Sequence, residues 1–156
     1  MKTIILYSSK TGVTEDCAKS LANLLNVQDC FDLSNKALPS IQDYDQIIMG
    51  TSIYAGMVRR PFKKFIAINH SLLMTKKISL FTCGANDKIN PIHDLVSSIP
   101  SDVLNHFEHI GYFGWEAREE KLGFFGKFVL KKIQEKENIV PSIHHEALNQ
   151  FAILCQ

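Results

Sequence analysis

The chain has 156 residues, 46% hydrophobic and 21% charged, with a formal net charge of +1 and a pI near 7.7. That length suits one domain with a real core, and the composition excludes a disordered or membrane-spanning chain. A nearly neutral chain also lacks the strong global field that would draw nucleic acid or another highly charged partner.

Residues 3–8 read as a buried strand, carried by Ile4, Ile5, Leu6 and Tyr7. The opening Met-Lys-Thr-Ile-Ile-Leu faintly suggests a signal peptide, but its apolar stretch is short and polar residues follow at once. Residues 12–26 carry Cys17, Leu21, Leu24 and Leu25 at helical spacing. A short strand is expected over 28–33, a loop with Pro39 over 34–43, and a third strand over 45–50, ending at Gly50. The following TSIYAGMVRRP reads as a loop, and Pro61 suits the first turn of a helix reaching about His70. A fourth strand is expected over 76–84, a loop through "ANDKINP", and a short helix over 91–99 closed by Pro100. A fifth strand is placed at 109–113, a helix at 119–136, and a last helix at 142–155, opened by Pro141.

Short apolar strands alternating with helices predict a parallel sheet covered on both faces. Ligands of such sheets bind outside the C-terminal strand ends, at the topological switch point. The loops to inspect are therefore 8–14, 50–60 and 82–91, together with the segment after the fifth strand. The four cysteines, at 17, 30, 83 and 155, form no CxxC pair and read as reduced thiols of a cytoplasmic protein. The six histidines suggest no zinc site, because adjacent His144 and His145 diverge on a helix. No Ser-His-Asp or paired-carboxylate arrangement is legible, so no catalytic residue is assigned.

Between the first strand and first helix stand Ser9, Lys10, Thr11, Gly12, Val13 and Thr14. A helix N-terminus offers unpaired N–H groups and positive potential, hydroxyls add donors, and Gly12 permits close backbone approach. Neither the G-x-x-x-x-G-K-[ST] nor the G-x-G-x-x-G pattern is present, which suits a terminal monophosphate better than a triphosphate or pyrophosphate. On the residues alone, helix capping by Ser9 or Thr11 explains the hydroxyls equally well.

This loop resembles the [ST]-x-T-G-x-T phosphate loop of flavodoxins. GTSIYAG (50–56) and TCGAND (82–87) are similar to the two loops that hold the flavin ring in that family, in the same order along nearly the whole chain. The resemblance implies a flavodoxin-like three-layer α/β/α sandwich with a five-stranded parallel sheet, order 2-1-3-4-5, and bound FMN. It would place the 5′-phosphate on Ser9 through Thr14, using the hydroxyls of Ser9, Thr11 and Thr14. Thr51, Ser52, Ile53, Tyr54 and Ala55 would border the ring and ribityl chain, and Thr82, Cys83, Gly84, Ala85 and Asn86 would line the pyrimidine side through backbone donors. Tyr54 occupies the position where many flavodoxins place a tryptophan. Lys10 departs from the family's commoner small residue, and either neutralises the phosphate or points to solvent.

Electron-carrying flavodoxins are strongly acidic, whereas here Arg59, Arg60, Lys63 and Lys64 flank the expected flavin. That cluster would favour an acidic redox protein or a small molecule as partner, or it is simply a solvated helix face. The segments GTSIYAGMVRRPFKKFI and GYFGWEAREEKLGFFGKFVLKKI resemble the menaquinone-dependent protoporphyrinogen oxidases, which pass electrons through FMN to quinone at the membrane. The basic, aromatic residues 121–133 would suit peripheral contact with an anionic membrane face, or simply a helix covering the sheet. The stretch 84–106 is shorter than in those oxidases and lacks their basic insert. The expected function is thus an FMN-dependent oxidoreductase with a quinone or other small molecule. The alternatives are a protein-to-protein electron carrier and an FMN-free interaction domain.

Overall fold

The computed structural model describes residues 1–84, 92–137 and 142–156. Five parallel strands, β1 (Thr3–Ser8), β2 (Cys30–Asp32), β3 (Gln46–Tyr54), β5 (Lys77–Gly84) and β6 (Phe107–Tyr112), form one sheet in the order β2-β1-β3-β5-β6. This is the expected flavodoxin-like order. A short strand β4 (Met57–Val58) pairs antiparallel with the end of β3.

Period-two alternation sends neighbouring residues of each strand to opposite faces. Ile4, Leu6, Ile47, Met49, Ile78 and Leu80 pack on one side, against Phe62 and Ile66 of helix α2 (Arg60–Leu73). That layer continues through Leu95 of α3 (Ile92–Val96) and Val103 of α4 (Ser101–His106). Ile5, Tyr7, Ile48, Phe81 and Cys83 face the other way, onto Cys17 and Leu21 of α1 (Val13–Leu25) and Leu148 and Phe151 of α6 (His145–Leu154). Helices on both faces give three layers. In register, β1 and β3 pair Tyr7 with Gly50 and Ser8 with Thr51, while β3 and β5 pair Thr51 with Thr82 and Ile53 with Gly84. These pairings level the C-terminal ends of the central strands, where the candidate loops emerge.

Several boundaries differ from the expectation. β3 runs to Tyr54, past Gly50, and turns into β4 through Ala55 (φ 50) and Gly56 (φ 72). Two positive φ values in a two-residue loop match the twist of the flanking strands, so the expected open loop is a tight hairpin. The fifth parallel strand begins at Phe107, and residues 101–106 form α4 where none was expected. A short strand β7 (Gly114–Trp115) pairs with β8 (Ser142–Ile143), which delays the last helix to His145. Helix α5 (Phe124–Glu137) starts later than residue 119, behind a single tight turn at Glu119–Lys121. Pro141 and the loop over 85–91 lie outside the described residues. No described helix is long and apolar enough to cross a membrane.

Candidate functional site

The hydroxyl loop follows directly from the buried end of β1. Ser9 turns its Oγ back to accept the Gly12 N–H at 2.9 Å. Gly12 adopts φ 91, a left-handed conformation that costs glycine little, and stands at the N-cap of α1. Gly12 has no side chain to cap the helix, and among the described residues Ser9 bonds the N-cap N–H while no hydroxyl caps the first helical turn. Thr14, in the first turn, is fully buried, and its Oγ1 has no hydrogen-bond partner among the described residues. The neighbouring polar group is the Cys83 thiol, a weak acceptor.

Thr14 borders a cavity of about 260 Å³ at the sheet's C-terminal edge. Three strand ends converge there. Lys10, Thr11, Val13 and Thr14 form the loop side, Ser52 through Gly56 one wall, and Cys83 and Gly84 the floor. Trp115, Ala117 and Leu122, from the segment after β6, complete the lining. Tyr54 packs on Trp115 and Leu122 in a small apolar cluster. The Tyr54 hydroxyl, Trp115 Nε1 and Ser52 Oγ are buried and, among the described residues, unpartnered. Burial raises the pKa of the Tyr54 phenol, so it remains a donor near neutral pH.

The electrostatics of the loop side are set by paired charges. Glu15 and Asp16 open α1, where the helix dipole favours acids, yet both would repel an anion. Each is answered by a cation, Glu15 by Lys19 at 2.6 Å and Asp16 by Arg118 Nη2 at 2.7 Å. Burial works against the Arg118 charge, but its hydrogen bonds to Glu116 and Asp16 outweigh that and raise its pKa. On the floor, the Cys17 thiol and then burial push the Cys83 thiol well up, while donation from Cys83 holds Cys17 below the ordinary thiol range.

Most of the expected residues are brought to the cavity. Lys10, Thr11, Val13, Thr14, Ser52, Ile53, Tyr54, Ala55, Cys83 and Gly84 line it. Ser9 and Gly12 shape the loop from behind. Thr51 and Thr82 are fully buried and support the strand ends, Thr51 Oγ1 donating to the Ser52 carbonyl and Thr82 Oγ1 to that of Gly111, both at 3.4 Å. Neither side chain lines the cavity, because alternation along β3 and β5 turns both onto the buried face. Ala85 and Asn86 lie outside the described residues. The sequence reading missed Trp115, Glu116, Ala117, Arg118 and Leu122, along with Gly56 and Asp94, which also border the cavity. The signals for the stretch after β6 were its place beyond the fifth parallel strand, already marked for inspection, and the chain's single tryptophan, set in an aromatic stretch.

A doubly wound parallel sheet with an uncapped helix N-terminus and an aromatic-walled cavity at its switch point defines a flavodoxin-like α/β protein. Residues 4–140 match the family model described as the flavodoxin domain, and the chain belongs to that family. It is 28% identical over 126 residues to a flavodoxin of Buchnera aphidicola, covering 72% of this chain and 74% of that one. It is 26% identical over 156 residues to the flavodoxin-like domain-containing protein BilS of Clostridioides difficile, covering 96% of this chain and 86% of that one. The crystal structure of oxidised flavodoxin 1 from Bacillus cereus superposes with a TM-score of 0.54 at 22% identity, covering 84% of this chain and 98% of that one. The family's cofactor is FMN. The unpartnered Thr14, Ser52, Tyr54 and Trp115 donors form a set that a phosphorylated, polar-edged aromatic group can satisfy.

Proposed function

We propose that the chain holds FMN in this cavity and exchanges electrons with an acidic redox partner. The observation that carries the reading is the convergence of four buried, unpartnered donors on one cavity between a helix N-terminus and an aromatic wall. Buried donors without acceptors cost free energy, about 1–3 kcal/mol each, and a ligand that supplies acceptors recovers it. The Ser9–Thr14 loop holds the 5′-phosphate through its N–H groups and the Thr11 and Thr14 hydroxyls. Ser52, Ile53, Tyr54 and Ala55 hold one side of the ring, with Trp115 and Leu122 excluding water, and Cys83 and Gly84 lie at the other. When bound, FMN supplies reversible electron chemistry, while the protein contributes binding, orientation and tuning.

The partner's charge follows from α2. Arg60, Lys63 and Lys64 are exposed at its start, beside half-buried Arg59, and no acidic residue occurs from Arg60 to Leu73. Complementarity favours an acidic docking face. A second reading, a quinone or another small molecule met at a membrane surface, draws on α5. Phe124 is 93% and Phe128 51% exposed there, near the exposed Lys127, Lys131 and Lys132. Protoporphyrinogen is the finest version of that reading.

The deciding experiment begins with the visible spectrum of the purified chain mixed with FMN. Flavin bands that shift and fluorescence that quenches are expected; a protein that ignores FMN sinks both readings. Stopped-flow oxidation of the reduced protein then separates them. Fast exchange with an acidic redox protein, slowed by salt, supports the carrier. Turnover with quinones or protoporphyrinogen supports the enzyme.

A further inference from the structure

The Arg118 guanidinium is chelated on one edge and open on the other. Its Nε donates to Glu116 Oε2 at 3.0 Å, and its Nη2 donates to Glu116 Oε2 and to Asp16 Oδ2, each at 2.7 Å. Those bonds use three of the five donors of the fork. The two on Nη1 have no hydrogen bond among the described residues, and Nη1 lies 3.0 Å from where a Cβ on Gly12 would stand. The open edge therefore rests against the apex of the hydroxyl loop, and Arg118 lines the same cavity as Thr14, whose buried hydroxyl has no partner among the described residues.

We propose that Arg118 is the cationic member of the phosphate subsite and makes the chain choose a flavin phosphate over the unphosphorylated flavin. This rests on the reading of the cavity as an FMN site. A guanidinium fork matches phosphate oxygens in geometry and charge. Asp16 and Glu116 are positioning residues: they fix the fork on one edge so that little side-chain freedom is lost when the other edge binds. The residue spans 102 positions of sequence to reach α1, so it also ties the Trp115–Leu122 wall to the loop. A purely structural tie is the competing role.

Titration of the full chain with FMN and with riboflavin, followed by flavin fluorescence, separates the two roles. Arg118→Gln is expected to raise the dissociation constant for FMN about 10- to 100-fold, the usual loss for a charge-assisted hydrogen bond. Riboflavin binding is expected to change less than about twofold, and the salt dependence of FMN binding to flatten. Arg118→Lys, which keeps the charge without the fork, is expected to retain part of the preference. Equal losses for both flavins, or no loss for either, overturn the assignment while leaving the FMN site intact. A wild-type chain that binds neither flavin overturns the site reading and this one with it.

Discussion

Lys10 holds its ammonium 5.0 Å from the centroid of the Tyr54 ring, so the hydroxyl loop and the aromatic wall meet through one cation. That contact gives the loop's unusual lysine a role distinct from phosphate neutralisation. Cation–π pairs at exposed sites contribute about 0.5–1 kcal/mol. Lys10→Met should therefore weaken FMN and riboflavin alike, by about 2- to 5-fold. Equilibrium titration with the two flavins checks it. A loss confined to FMN would mean that Lys10 reaches the phosphate instead.

Thr14 offers a trade between stability and binding. Its hydroxyl is buried with only the Cys83 thiol, a weak acceptor, beside it, so the flavin-free protein gains little from it. Thr14→Val should leave the flavin-free protein equally stable or stabilise it by up to about 1 kcal/mol, since a buried unpaired polar group is removed. The same change should cost about 1.5–3 kcal/mol of FMN affinity, roughly 10- to 150-fold. Urea unfolding and flavin titration of the one variant test both halves. Unchanged affinity would assign the hydroxyl to the fold alone.

Gly84 closes the floor where β3 and β5 end together. A Cβ there would stand 2.4 Å from the Ile53 carbonyl oxygen, a backbone atom fixed by the Ile53–Gly84 pairing. The Tyr112 hydroxyl donates to the Gly84 carbonyl and holds the strand end from the other side. Gly84→Ala must push the strand ends apart, at about 2–3 kcal/mol for overpacking of this kind. Thermal unfolding should shift down by about 4–12 °C for a chain of this size. A melting temperature within a degree of wild type would show that the end of β5 relaxes freely.

The layered fold was legible because β1, β3 and β5 are apolar runs, and because α1 and α2 begin where helical spacing does. The hydroxyl loop was legible because its residue types sit together in sequence. The end of β3 was not, since Gly50 imitated a strand stop and Thr51 through Tyr54 mixes polar with apolar side chains. Alternation alone could have shown Thr51 and Thr82 turning inward. The wall from Trp115 to Leu122 was illegible for a different reason. It is short and without period, and its ties to Tyr54 and Asp16 are made across the fold. Its place after the fifth parallel strand and the lone tryptophan marked the segment, but not which of its side chains reach the cavity.

Tyr7 sets an alkaline limit on stability. It is 6% exposed at the C-terminal part of β1, and burial, then the Glu15 and Asp32 carboxylates, push its phenol from 10.0 up to about 12. The folded state therefore keeps the proton longer than the unfolded chain does. Its contribution to stability is fully present below about pH 10 and is lost as pH rises toward 12. Cys30, raised to about 11 chiefly by burial, adds a loss of the same sign beginning about a unit lower. Tyr7→Phe removes the phenol and keeps the ring. Its urea midpoint should fall less steeply than that of wild type between about pH 10 and pH 11.5, while the two run parallel from pH 7 to 9. Curves that stay parallel through the alkaline range would show that Tyr7 ionises as readily in the folded protein as in the unfolded chain.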